Sequence, residues 1–175
     1  TATHTPTPTA TASVTPHATV VVPTDQPTTL IYTDTAGAAI AVQLPTGAVS
    51  ETITLAYTDL GTLPSDPPSG FQFGNQIFDL DAFHNNTLIE HFTFQQPVTI
   101  TIRYSDADVA NLDEATLTVR YFDPKTNQWQ TEGITIVERD LNNNRITFTV
   151  THLTVFGMFG SSGTSFRSYL PLVVR

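Results

Sequence analysis

The residues 105–114, Ser105-Asp106-Ala107-Asp108-Val109-Ala110-Asn111-Leu112-Asp113-Glu114, bring four carboxylates, Asp106, Asp108, Asp113 and Glu114, into one short stretch. Oxygen ligands from a compact loop are what a hard cation such as calcium takes. The stretch lacks the glycine and the regular ligand spacing of a calcium loop, and Asp106 or Asp108 equally suits the cap of a single helical turn between strands. His84 and His91 flank a hairpin-like segment, Phe83 to Phe92, from which they would meet a metal on opposite strands. Two lone histidines are more often surface or packed residues. Asp79 and Asp81 alternate with Phe78 and Leu80 and read as the solvated face of a strand. The carboxylates have no spacing that implies convergence across a sugar-sized cleft, as a glycosidase requires. Asn85-Asn86-Thr87 fits an N-glycosylation acceptor, for a cell with that machinery. The expectation is therefore no metal, no cofactor and no enzyme.

Any such group must be positioned by strands. The 175 residues suit one core plus an appendage. Hydrophobic residues at 39% and aromatics at 10% are enough to close that core. Seven Lys+Arg against sixteen Asp+Glu give a formal charge of -9, which repels polyanions, so nucleic acid is excluded as a partner. With no Cys there is no disulfide, zinc cluster or thiol chemistry. The low charge and the abundance of Thr, Asn, Gln and Ser suit an exported surface protein. The chain begins at Thr1 without Met and holds no run of about 18 apolar residues. It reads as a secreted chain whose signal peptide is gone, without a membrane-spanning segment.

Residues 1–25 read as an extended Thr/Pro-rich arm, with Thr3, Thr5, Thr7, Thr9, Thr11 and Thr15 as hydroxyls for O-glycosylation. From Gln26 to Ser162, β-formers alternate with turn residues, and no window shows helical spacing. Strands are expected over Thr28 to Thr33, Ala39 to Leu44, Thr52 to Thr58, Gln76 to Ala82, Leu88 to Phe94, Val98 to Tyr104, Ala115 to Phe122, Gln128 to Val137, Arg145 to Thr151 and Thr154 to Phe159. Asp123 to Asn127 and Asp140 to Asn144 read as hairpin turns, and Gly61 to Gly70 as a loop crossing between sheets. Val98, Ile100 and Ile102, Leu117, Val119 and Tyr121, and Ile146, Phe148 and Val150 form the inward sets, with Trp129 over a core edge. Pro97 is placed at the start of a strand, where its missing amide is tolerated. The fold expected is all-β, an antiparallel β-sandwich of immunoglobulin-like architecture.

Three segments carry a resemblance: Val42-Gln43-Leu44-Pro45-Thr46-Gly47-Ala48-Val49, Phe94-Gln95-Gln96-Pro97-Val98-Thr99-Ile100, and Thr151-His152-Leu153-Thr154-Val155-Phe156. Together they resemble the β-sandwich module of ankyrins and netrin receptors. They resemble more closely its bacterial relatives in surface proteins of filamentous green bacteria, which often carry a Thr/Pro linker and a tail similar to Ser168-Tyr169-Leu170-Pro171-Leu172-Val173-Val174-Arg175. The resemblance implies a module for spacing, adhesion or assembly. His152-Leu153-Thr154 also resembles the site at which adhesion-type receptors cut themselves. That would make Thr154 the nucleophile on the Leu153 carbonyl and His152 its base. The plainer reading is an uninterrupted final strand, Thr151 to Phe159, and the flanking cysteines and tryptophans of the receptor site are absent.

Assembly is the functional expectation. Strand-like segments that add to a neighbour's sheet edge would make a homopolymer of this chain. The donors are Ala18, Thr19, Val20, Val21 and Val22 in the arm, or Tyr169, Leu170, Leu172, Val173 and Val174 in the 163–175 tail. A second reading is a stalk-borne module that binds surface glycans through Trp129, Phe71 or Phe73.

Overall fold

The computed structural model describes residues 15–163. Twelve strands run in chain order: β1 (Ala18–Val22), β2 (Thr28–Thr33), β3 (Ala39–Leu44), β4 (Ile53–Asp59), β5 (Gln72–His84), β6 (Thr87–Leu88), β7 (Thr93–Arg103), β8 (Thr118–Asp123), β9 (Gln128–Gln130), β10 (Thr135–Asp140), β11 (Arg145–His152) and β12 (Val155–Gly160). One 3-10 turn, Glu114–Thr116, precedes β8. The strands form two antiparallel sheets. The first has the order β1-β4-β5-β12-β8-β9, with β6 hairpinned onto β5; the second has the order β10-β11-β7-β3-β2.

The turns explain why the strands pair as they do. Between β2 and β3, Asp34 Oδ1 accepts from the amides of Ala36 and Ala38, and Gly37 takes φ 89°. Between β8 and β9, Asp123 accepts from Lys125 N and Thr126 Oγ1, and Asn127 enters the left-handed region. The β10–β11 turn is closed by Asn143 on Asp140, with Asn144 at φ 50°. Asn85 and Asn86, both at positive φ, make the two-residue β5–β6 turn that matches the twist of its strands.

The inward faces of both sheets meet in one core. Val98, Ile100 and Ile102 of β7 and Ile146, Phe148 and Val150 of β11 are fully buried. Opposite them lie Leu55, Phe78, Leu80, Val119, Phe156 and Met158 from the first sheet. A second apolar cluster sits on the outer face of the first sheet, where Ile77, Trp129 and Phe159 are joined by Leu60, Leu63, Phe71, Phe73, Phe122 and Val155. Gly157 makes room for it, since a Cβ there would lie 2.9 Å from the Phe159 ring and 3.1 Å from that of Trp129.

Several expectations change. The Gly61–Gly70 loop joins β4 to β5, neighbours in one sheet, so it does not cross between sheets. Its apolar residues instead cover the outer cluster, with Ser65 O accepting from Trp129 Nε1. Ala18–Val22, included in the expected arm as a run able to pair with a sheet edge, is β1, paired along its length with β4. Leu88 to Phe94 is broken, because the short β6 ends at Leu88 and His91 takes φ 54° before β7 starts. Gln128 to Val137 divides at a turn around Gly133 into β9 and β10, which belong to different sheets. Pro97 lies inside β7, not at its start, beside the register shift that opposes β11 between Val150 and His152. A bulge frees the amide position that proline cannot fill.

Candidate functional site

Besides the two-residue β6, four strands pair along one side only among the described residues: β1, β9, β10 and β2. An open edge presents a row of amides and carbonyls to any extended chain, and proteins blunt such edges by shortness, charge or a bulge. β9 has three residues. β10 is bulged at Val137 and carries Glu138 and Arg139. β1 is bounded by Pro16 and Pro23. β2 pairs with β3 over all six residues without a register shift, contains no charge, and points Ile31 outward at 65% exposure. It is the least protected of the four. The expected donor residues Ala18, Thr19, Val20, Val21 and Val22 already serve the chain's own first sheet through β4. Tyr169, Leu170, Leu172, Val173 and Val174 lie outside the described residues, as do Thr3, Thr5, Thr7, Thr9 and Thr11; Thr15 is exposed.

The His152-Leu153-Thr154 segment is where the chain passes from the second sheet to the first, so the run from Thr151 to Phe159 is interrupted. Leu153 N donates to Phe92 O at 3.2 Å, and Thr154 O accepts from Leu80 N at 3.3 Å. The Thr154 hydroxyl donates to Phe122 O at 3.1 Å, so its proton is directed to a carbonyl and not to the imidazole. His152 stands edge-on to Tyr121 at 4.7 Å, and burial lowers its pKa, favouring the neutral ring. None of the three residues has a positive φ. This geometry ties two sheets together.

The four carboxylates of the acidic stretch diverge. Asp108 Oδ2 accepts from Ser105 N and Oγ, while Ser105 Oγ accepts from Asp108 N, a reciprocal cap of the turn that follows. Asp108 Oδ1 accepts from Asn75 Nδ2. Asp106 accepts from Asn144, Asp113 caps the 3-10 turn through Ala115 N, and Glu114 accepts from the Tyr104 hydroxyl. The caps are therefore Ser105 and Asp113, where the sequence suggested Asp106 or Asp108. Among the described residues no three His, Asp or Glu side chains come together as a metal ion would need. His84 lies 3.3 Å from Glu51, not against His91.

Asp79 and Asp81 are not a solvated face. They line a cleft of about 550 Å³ whose walls include Phe92, Phe122, Pro124 and Val155. Burial, and then the charge of Asp81, push the Asp79 carboxyl up to about 6. Burial raises Asp81 as well. Trp129, at 6% exposure, lies too deep in the outer cluster to meet a sugar ring, and Phe71 and Phe73 are half-buried beside it. One feature has no signal in the spacing of residues. A cavity of about 300 Å³ opens at the end of β2, lined by Tyr32, Asp34, Tyr57, Asp59 and Asp108 from three parts of the chain.

No protein-family model matches the chain, and no curated protein matches it. No helix among the described residues is long and apolar enough to cross a membrane.

Proposed function

We propose that this chain is a non-enzymatic extracellular structural protein, a surface or filament subunit built on an immunoglobulin-like sandwich and assembled by β-strand addition. The observation that supports it most is β2, a regular, uncharged sheet edge with Ile31 in solvent. The donor is the C-terminal tail, whose Tyr169, Leu170, Leu172, Val173 and Val174 are a β-forming apolar run. Pro171 within it is tolerated because an added strand bonds along one side only. The Thr/Pro arm then works as a spacer, and the kinship with surface modules of filamentous green bacteria belongs to the same reading.

Sedimentation of the native chain over a range of concentrations tests it. The chain should associate, and Ile31→Lys, which places a charge on the acceptor edge, should shift it to monomer. A wild-type chain that stays monomeric at every concentration sinks the reading.

A further inference from the structure

After β12 the chain leaves the described fold along the wall of a cavity. Gly163, the last described residue, lines a space of about 530 Å³ together with Leu112, Asp113, Glu114, Ala115 and Leu141. The direction of exit is fixed by the backbone. Asp113 N donates to Ser161 O, Leu112 and Ser162 form an antiparallel bridge, and Gly163 N donates to Asn111 O at 2.8 Å. A Cβ at Gly163 would lie 2.8 Å from Leu112 O, so the chain is pressed onto the 111–113 segment as only glycine allows. Leu141, on the β10–β11 turn, is 41% exposed, and Leu112 is half-buried against the main core.

The chain continues Thr164-Ser165-Phe166-Arg167. Phe166 is the first large apolar side chain after Gly163, and three residues of extended chain reach at most about 10 Å, so it is tethered at the cavity. Closing so short a segment onto the two leucines costs little chain entropy, and leaving the ring in water forfeits its burial. Charge points the same way. The described lining holds two carboxylates, Asp113 and Glu114, and no Lys or Arg, while Arg167 follows Phe166 and residues 164–175 contain no Asp or Glu.

We infer that this cavity seats Phe166 of the same chain, with Arg167 beside the Asp113 and Glu114 carboxylates, and so anchors the root of the tail. The anchor itself needs no second copy. Its consequence for assembly rests on the strand-addition reading: β10 and β2 are the two edges of the second sheet, so a tail rooted at the β10–β11 turn departs across the width of the sheet from its own acceptor edge. Residues 168–174 are then presented to the β2 of another copy. A contact of that kind is heterologous and extends into a filament when the rotation does not close.

Limited digestion of the full chain with chymotrypsin tests the anchor, at a dilution where sedimentation shows a monomer. Phe166 and Tyr169 are cleavage sites three residues apart, and the anchor shields the first alone. Leu141→Glu changes an exposed turn residue and leaves the core in place; it should speed the cut after Phe166 by about fivefold or more and leave the cut after Tyr169 unchanged. In the same dilute sample the Leu141 methyl groups should show nuclear Overhauser contacts to the Phe166 ring. Equal Phe166 cutting in the wild type and in Leu141→Glu, or absence of those contacts, overturns the anchor. Protection that appears only as concentration rises gives the cavity to the tail of another copy and overturns it as well. A chain that is monomeric at every concentration, yet shows the Leu141→Glu effect and the contacts, overturns strand addition and keeps the anchor.

Discussion

The two outward faces of this fold are built on opposite plans. The first sheet carries a second apolar cluster, Ile77, Trp129 and Phe159, beneath the β4–β5 loop. The second sheet presents Thr99, Thr101, Thr147 and Thr149 across β7 and β11, with Ala39, Ala41 and Gln43 of β3 beside them. Thr101 and Thr147 share a hydrogen bond of 3.2 Å. Alternation of apolar and polar residues therefore describes β7 and β11 of the second sheet, while the first is apolar on both sides over much of its width. A strand buried on both faces is read from composition rather than from period two. The threonine face is the polar one, and the edge on its β3 side is β2.

The comparison is broken most sharply by truncating one large side chain on each side. Phe148→Ala in the shared core should cost about 3–5 kcal/mol. Trp129→Ala should cost about 3 kcal/mol, because its cluster borders solvent and relaxes more readily. Denaturant unfolding of both variants measures the gap, and a Trp129→Ala cost under about 1 kcal/mol would show the outer cluster to be ornament rather than core.

Asp79 sharpens the contrast through pH. Its folded-state carboxyl lies at about 6 against an ordinary 3.8, so the folded chain holds that proton more tightly than the unfolded one. The stability this contributes is fully present below about pH 4 and is lost as pH rises through about 6. Asp79→Asn should therefore stabilise the chain at pH 7 by about 1–2 kcal/mol after allowance for solvent screening, and change little at pH 4. Unfolding midpoints across pH 4–8 read this directly. An equal effect at both ends would mean that the cleft does not desolvate the carboxylate. Smallest of all, Thr101→Ala on the threonine face should change stability by under about 1 kcal/mol. A larger loss there would make the threonine face part of the folded core's support.

Much of the fold was legible in the sequence, and the reasons are local. Thr28–Thr33 and Ala39–Leu44 match expectation residue for residue, because Asp34 and Gly37 specify the turn between them. The Asp123 and Asp140 hairpins were readable for the same reason: a side chain bonding its own backbone leaves a mark in sequence. The outer cluster was not, since Leu60, Leu63 and Phe71 are separated by Pro, Ser and Gly and converge only when the loop lies down on β12. That hidden cover also explains why Asp79 is not a solvated residue, while Trp129 packs over a core edge as expected. The cavity floored by Tyr57 escaped notice because its residues come from β2, β4 and the β7–β8 connection, which only the packing of two sheets brings together.

The place of β12 sets a schedule for folding. It lies in the middle of the first sheet, between β5 and β8, although it is the last strand described. Until residues 155–160 arrive, β5 and β8 have no common neighbour, and the first sheet exists only as two unjoined parts. Pairings of such long sequence separation are slow to form. A chain stopped before Val155 lacks the strand that joins them, so the sandwich commits to its native form only once residues 155–160 have been made.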